Sequence, residues 1–565
     1  MPSPLAPIER RSRAGIILYG SVARSVPASP ELMKIVIPDP LPAAAVSLLE
    51  AEGWTVDTRT GRSAEELRAD LSDADALIIR SATTVTAELI AAAPRLRVVA
   101  RAGAGVDNVD IEAASDRGIL VLNAPGANSV SVAEHVFALM LSSARSVALA
   151  DAQMKAGRWC KKSLRGAELR GKTLGVVGLG RIGREVVRRA LAFDMVVVAH
   201  DPFIASQMAD DLGIELIALE ALAGRADFIT LHLPSTDSTR GLLSRALLAR
   251  CRPGTRIINT ARGDLLDEAA LVEALSEGRI AGAGLDVFRQ EPPADTTLTG
   301  MPQVVATPHI AGATAEAQQL VGLAAATGIR EYLQTGFARN AVNYPSIAPD
   351  ELRGLRPYLV LAERLGSLLA QLAHGRIAGV GLRYYGQLAD QPHEMLVSAT
   401  LVGLLGQVLS QEVTLVNARA AAEQRGLEVV ESRSSRPRNF TSLVSLKLHT
   451  SDGELWAEGA LFEPEQPRLV RLDGVEVEAP LEGTLIVIRN RDQPGVIGEV
   501  GSILGRHGIN IATFALGRGV GGAIGVVRVG PGAREGTPAE PEVPGEVLDE
   551  IRGIAAVDAA GLIRL

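Results

Sequence analysis

Cysteine is nearly missing from this chain: Cys160 and Cys251 are the only two in 565 residues. Two thiols cannot build a disulfide framework or a multi-cysteine zinc site, so no metal is expected, and such sparing use of cysteine fits a reducing compartment, with the cytoplasm as the default. An excess of positive charge is missing too. The net charge is −8, from 57 Lys and Arg against 65 Asp and Glu, which argues against nucleic acid or an anionic membrane as the main partner, because phosphate backbones are bound by basic surfaces. A local basic pocket is still allowed. No apolar run reaches the roughly 18–20 residues that span a bilayer. What is left is an ordinary globular composition, 47% hydrophobic and 22% charged, in a chain too long for one core.

Residues 1–32 are rich in Pro, Ser and Arg, and their apolar stretch GIILYG is too short for a signal-peptide core. They are expected to be a disordered extension upstream of Met33. A transit peptide is the alternative, weakened by Glu9 and Glu31. From Met33 the pattern becomes regular. Short apolar runs (KIVIPD, TVDTR, ALIIRSAT, RVVARAG, ILVLNAPG) alternate with helical segments, the pattern of a parallel sheet covered on both faces. A long apolar helix, SVSVAEHVFALMLSSARSVALA, leads into a second such series from KTLGVVGLG to QVVATPHIAG. The fold class is therefore α/β, with two doubly wound domains in succession. The expected division is residues 33–128 with 320–346 for the first unit and 129–319 for the second.

The stretch VVGLGRIGR sets Gly178, Gly180 and Gly183 between a strand and a helix starting near Arg181, and Asp201 closes the next strand. In that context the glycines are the dinucleotide-binding fingerprint: one makes the turn, one admits the pyrophosphate and one lets helix pack on strand. The helix N-terminus offers NH donors to the phosphates. Asp201 would accept from the adenosine ribose hydroxyls and repel a 2′-phosphate. The following PFIAS has no Lys or Arg to hold such a phosphate, so the cofactor is expected to be NAD.

Hydride transfer from an alcohol needs a base for its proton and, for an acid substrate, a cation for its carboxylate. Open α/β sheets bind ligands at the carboxyl ends of their strands, and three residues lie just past such ends: Arg262 in NTARGD, Glu291 in VFRQEPP and His309 in TPHIAGAT. A guanidinium fork suits a carboxylate, and a His with a carboxylate partner is the usual hydroxyl base near neutral pH. Taken singly, each also reads as a surface salt bridge, a solvated charge or a histidine satisfied by backbone.

Together VVGLGRIGREV, NTARGDLLDEAAL, GAGLDVFRQEPP and TPHIAGAT resemble the signature blocks of the D-isomer-specific 2-hydroxyacid dehydrogenases. The resemblance implies that Arg262, Glu291 and His309 are the catalytic set. It implies further that Arg181, Ile182, Pro234, Thr260, Ala261, Asp286 and Gly312 line the cofactor beside the glycines, Asp201, Arg262 and His309. IIRSATTVT, VVARAGAGVDNVD and VLNAPGANSVSVAEH resemble a branch of that family acting on 3-phosphoglycerate, implying that Arg80, Ser81 and Asn123 contact substrate and Thr83 the cofactor. Arg80 beside Ser81 could hold a phosphate; capping a strand end is the alternative. In related enzymes the basic stretch KAGRWCKKSLRG reaches a neighbouring subunit's cleft, whereas a merely solvated loop is the other reading, and Cys160 is there a bystander.

The last segment, 481–565, reads β-α-β-β-α-β, the ferredoxin-like order, and NRDQPGVIGEVGSILGRHGINIA resembles the ACT domain, an amino-acid-binding module. That likeness makes Asn490, Asp492, Pro494, Gly495 and Asn510 the candidate effector site, with Asp492 as a plain helix cap the alternative. L-serine is the expected effector. GPGAREGTPAEPEVPG is expected to be a flexible loop. Residues 347–480, including the helical run VSATLVGLLGQVLS, resemble the α+β intervening domain of that branch's long form and carry no catalytic constellation. The implied activity is oxidation of 3-phospho-D-glycerate to 3-phosphohydroxypyruvate with NAD, the first step of the phosphorylated route to L-serine, by a homo-oligomer. Another 2-hydroxyacid dehydrogenase and a non-enzymatic NAD-sensing regulator are the competing readings.

Overall fold

A computed structural model describes residues 33–336, 339–345, 349–390, 394–409, 412–436, 438–463, 465–530 and 542–565. The N-terminal extension and the core of the loop expected at 530–545 lie outside them. Among the described residues no single helix is long and apolar enough to cross a membrane.

The first sheet is parallel, in the order β2-β1-β3-β4-β5, with β1 Lys34–Val36, β2 Thr55–Asp57, β3 Ala76–Ile79, β4 Val98–Arg101 and β5 Leu120–Leu122. All four residues of β3 are buried, as both-face coverage requires. The second sheet is also parallel: β6 Thr173–Val177, β7 Val196–His200, β8 Glu215–Leu216, β9 Phe228–Leu231, β10 Thr255–Asn259, β11 Ile280–Leu285 and β12 Val304–Ala306, in the order β12-β11-β10-β9-β6-β7-β8. Its strand order reverses beside β6, and the glycine-rich turn leaves β6 at that switch point.

Two helices cross between these units. The hinge helix Ser129–Arg145 buries Ala133, Val136, Phe137 and Met140 in the core of the second sheet. The return helix Ala315–Thr335 is capped by Thr314, whose Oγ1 accepts from the Ala317 NH, and buries Val321, Ala325, Ile329 and Leu333 in the core of the first. Beyond it the chain runs antiparallel along the free edge of β5, where Val342 donates to Val121 O (2.8 Å) and the Asn123 NH to Asn340 O (3.2 Å).

The third sheet is mixed, ordered β14-β13-β15-β16-β17-β18, from β13 Ile377–Gly386, β14 Glu428–Ser434, β15 Ser442–Thr450, β16 Gly453–Phe462, β17 Gln466–Leu472 and β18 Val475–Pro480. The helices Pro349–Leu372 and Glu394–Leu405 share its core. VSATLVGLLGQVLS is helical only as far as Leu405; from Gly406 the chain tightens into a turn, with Val408 donating to Leu405 O, glycine being a common helix terminator. A turn of this unit rests on the first domain. Thr414 Oγ1 donates to Gly118 O (3.0 Å), and Gly118, at φ +70°, has its missing Cβ position 2.6 Å from that hydroxyl.

The fourth sheet is antiparallel, β20-β21-β19-β22, from β19 Thr484–Asn490, β20 Asn510–Gly519, β21 Gly522–Gly530 and β22 Val557–Arg564, with helices Val496–Arg506 and Gly545–Arg552. This is the ferredoxin-like arrangement read from the sequence.

Candidate active site

The three glycines divide their work by geometry. Gly178 turns the chain at φ +98°, and a Cβ there would stand 2.6 Å from His232 O. A Cβ on Gly183 would stand 2.1 Å from Gly178 O, so helix Arg181–Ala192 could not approach the turn with a larger residue. At Gly180 a Cβ would meet nothing within 4 Å. That open space lies over a helix start with no side-chain cap, where free NH groups and the helix dipole suit a pyrophosphate. Asp201, just after β7, accepts from Leu179 NH at 2.8 Å and from Phe203 NH at 3.0 Å. The carboxylate expected to read the ribose is thus tied to the glycine turn itself. Arg181 Nη1 reaches across to Pro125 O in the first domain, and Ile182 packs on the second sheet's core. Pro234 is exposed past β9. Thr260 is buried with its Oγ1 unpartnered among the described residues, a polar atom that a bound dinucleotide would satisfy. These residues fit NAD.

The turn after β10 is shaped by Asn259, which sequence reasoning passed over. It is fully buried, accepts from Ala261 NH (3.0 Å) and donates to Arg262 O (2.8 Å). Arg262 Nη1 donates to Ala261 O, and its Nη2 pairs across the cleft with Asp107 Oδ2 at 2.8 Å.

His309 lies past β12 in the left-handed region at φ +52°, a conformation costing roughly 1–3 kcal/mol in a residue with a side chain. Its Nδ1 is 2.6 Å from Glu291 Oε2, while Glu291 Oε1 accepts from Phe288 NH at 3.0 Å. A carboxylate only accepts, so the shared proton belongs to Nδ1, and in the neutral imidazole Nε2 carries the lone pair. Among the described residues nothing occupies Nε2. Asp286, fully buried, accepts from Ile310 NH (2.9 Å) and Ala311 NH (2.8 Å), and its own carbonyl takes the His309 NH (2.8 Å). It holds the backbone around His309. At Gly312 a Cβ would meet Asn128 Nδ2 at 3.0 Å.

From the first domain, Arg80 follows β3. Its NH donates to Asp39 Oδ2 (2.5 Å) and its Nη1 reaches Pro40 O at 3.4 Å, a long contact that leaves most of the guanidinium free. Ser81 is exposed. Thr83 Oγ1 donates to Asp39 Oδ1 (2.9 Å), and Asn123 Nδ2 to Ala104 O (2.7 Å). Asp39 therefore anchors two of the expected residues from another loop. Arg101, the last residue of β4 in the RVVARAG stretch, is a further cation that sequence reasoning missed. Its Nε has no partner among the described residues, and burial first, then the nearby Arg262, push its pKa below the usual arginine range. Arg262 and Arg80 act on Arg101 as like charges, with Asp107 and Asp39 as the opposing ones. Such a cleft attracts a small dianion. The basic stretch after Lys155 leaves Trp159 at the surface and Cys160 half-buried.

In the fourth domain Asn490, Asp492, Pro494 and Gly495 share one turn at the start of helix Val496–Arg506. Asn490 is buried and donates to Arg491 O (2.9 Å), Asp492 faces Arg518 at 3.3 Å, and Gly495 sits at φ +101°. Asn510 is elsewhere. It pairs with Gly530 of β21 whereas Asn490 pairs with Ala523, a separation along the strand of roughly 20 Å.

Residues 137–311 match the family model of the D-isomer specific 2-hydroxyacid dehydrogenase NAD binding domain, residues 354–473 that of the D-3-phosphoglycerate dehydrogenase intervening domain, and residues 484–531 that of the ACT domain. The chain is 41% identical over 535 residues to the D-3-phosphoglycerate dehydrogenase of Methanocaldococcus jannaschii, covering 94% of this chain and 100% of that one. It is 41% identical over 519 residues to the Mycobacterium tuberculosis enzyme of the same name, covering 91% and 96%. Among solved structures, the TT0316 protein from Thermus thermophilus superposes with TM-score 0.51 at 37% identity, covering 55% of this chain and 100% of that one. A glyoxylate reductase from Paecilomyes thermophila gives 0.51 at 29%, covering 55% and 98%. With a glycine turn fitted to a dinucleotide, a histidine paired with a glutamate just past a strand end, and relatives aligned along nearly its whole length, the chain belongs to the D-3-phosphoglycerate dehydrogenase family of the D-isomer specific 2-hydroxyacid dehydrogenases.

Proposed function

We propose that this protein oxidises 3-phospho-D-glycerate to 3-phosphohydroxypyruvate with NAD, the entry step of phosphorylated L-serine synthesis, and that L-serine regulates it. The observation that carries the reading is the His309–Glu291 contact of 2.6 Å, which leaves Nε2 as a free base. Bound on the glycine turn, NAD supplies the acceptor for the C2 hydride. Arg262 binds the substrate carboxylate, which takes the place Asp107 holds on the guanidinium. Arg80, Ser81 and Arg101 receive the phosphate, and Asn123 completes the pocket. His309 Nε2 removes the C2 hydroxyl proton, and Glu291 stabilises the imidazolium so formed, a charge-assisted contact of about 1.5–3 kcal/mol. Closure of the two domains over the cleft excludes water and brings Arg80 and Arg101 toward His309.

The names of the full-length relatives support the substrate, and three guanidinium groups exceed what a lone carboxylate needs. The far position of Asn510 bears on regulation: it can join the Asp492 turn only from a second copy, so the effector site is shared between two C-terminal modules of a homo-oligomer. The test is NAD reduction with 3-phosphoglycerate and with D-glycerate, each with and without L-serine. A preference of at least 10²-fold for the phosphorylated acid is expected from loss of two charged contacts. Equal rates would assign a different 2-hydroxy acid.

A further inference from the structure

We propose that His135, on the hinge helix, is a positioning residue for His309, acting through Thr307 and Asp286. This rests on the role given to His309 above. His135 Nε2 lies 3.0 Å from Thr307 Oγ1 and 3.4 Å from Asp286 Oδ1, and Thr307 Oγ1 lies 2.5 Å from that same carboxylate oxygen.

The direction of each hydrogen bond follows from what each group can offer. Asp286 is fully buried and already accepts from Ile310 NH on Oδ1 and Ala311 NH on Oδ2, so it is an ionised acceptor. Thr307 has one hydroxyl proton, and the short contact commits it to Asp286. Only lone pairs of Oγ1 then face His135, so Nε2 must carry the imidazole proton. His135 Nε2–H donates to the Thr307 hydroxyl and that hydroxyl to the Asp286 carboxylate, which also accepts from the two backbone NH groups that follow His309. The same aspartate takes the His309 NH on its main-chain oxygen, so it grips the left-handed residue from three directions.

The hinge helix holds this loop at a second point. Ser131 Oγ lies 2.7 Å from Thr314 Oγ1, and Ser131 and His135, four residues apart, share one face of the helix. The segment from Thr307 to Thr314, with His309 inside it, is thus pinned at both ends to the element that crosses between the domains. Without the His135 donor the Thr307 hydroxyl keeps only Asp286, the carboxylate loses its contact with the imidazole, and the Ser131–Thr314 pin alone ties the segment to the hinge helix against relaxation of His309 out of its left-handed conformation. Proton removal tolerates such a shift poorly, whereas the phosphate turn and Asp201 stand on other strands.

The experiment compares full-length wild type with His135→Leu, His135→Gln, Thr307→Val and Thr307→Ser. Leu and Val remove the relay; Gln and Ser restore a donor or hydroxyl in nearly the same place. Leu and Val are expected to lower kcat by about 10²-fold, with KM and NADH affinity within about threefold of wild type, and Gln and Ser to recover most of the loss. Crystal structures of wild type and His135→Leu supply a readout independent of turnover: the variant's His309 should leave φ near +52° and separate from Glu291. An unmoved His309, a kcat within twofold of wild type in the Leu or Val variant, or a Gln variant as slow as Leu would overturn the proposal. If His135→Leu does not fold, the Thr307 pair decides. A wild type inactive on every 2-hydroxy acid would instead refute the dehydrogenase reading, and the crystallographic comparison would still test the positioning.

Discussion

Nδ1 of His309 lies 2.6 Å from Oε2 of Glu291, and the other oxygen of Glu291 is held by the Phe288 NH. The glutamate is oriented before substrate arrives, so the tautomer that leaves Nε2 basic is built into the resting site. His309→Ala should therefore lose about 10²–10⁴-fold in kcat while NAD affinity, measured by calorimetry, stays close to wild type. Loss of NAD affinity on the same scale as the rate would make His309 a structural residue.

Asp201, proposed to read the ribose, also accepts from Leu179 inside the glycine turn. Asp201→Ala should weaken NAD by about tenfold or more, or 1.4 kcal/mol, and narrow the gap between NAD and NADP. Parallel titrations of the two cofactors check this; an unchanged ratio would remove Asp201 from cofactor selection.

Burial alone would raise the pKa of Asp286, but the hydrogen bonds from His135, Thr307, Ile310 and Ala311 outweigh it and hold the carboxyl below its ordinary value. A group whose folded pKa is depressed adds stability that is complete above its unfolded pKa, about 3.9, and is lost as pH falls through the folded one. Asp286→Asn should accordingly lower the urea midpoint at pH 7, and the difference from wild type should shrink below about pH 4. A constant difference across that range would contradict the assignment.

Asp492, paired with Arg518 at the turn before helix Val496–Arg506, is far in the chain from the hydride site. Asp492→Ala should leave uninhibited turnover nearly unchanged and abolish the response to L-serine, with a typical coupling of about 1–3 kcal/mol at stake. Calorimetry that finds no serine binding to the wild type would leave the module as a dimerisation element.

Much of this was readable from short stretches. Gly178 and Gly183 announce a turn and a close helix approach because only glycine fits those two backbone positions, Gly180 leaves open space above the helix start, and the spacing of all three is fixed by the strand-turn-helix geometry itself. Arg262, Glu291 and His309 could be proposed from their places just past strand ends. The order of strands and helices in the last domain followed from alternating and helical periodicity, and its sheet has the expected pairing. Such features depend on neighbours within a few residues, which is why the sequence determined them by itself.

Contacts between distant segments were decided only by the tertiary structure. Asp39 anchoring Arg80 and Thr83, Asp107 pairing with Arg262, and Arg101 adding a third cation to the cleft join loops whose separation in sequence carries no signal of proximity. Asn259 and His135 read as an ordinary strand end and one more polar position on a helix until packing sets them against the Arg262 turn and Asp286. Asn510 shared a motif with Asp492 yet lies at the other end of β21, because helix Val496–Arg506 carries the chain back along the sheet before β20 begins. Periodicity states which face of an element is buried; what that face meets is chosen by the packing of the whole chain, as where Thr414 closes on Gly118.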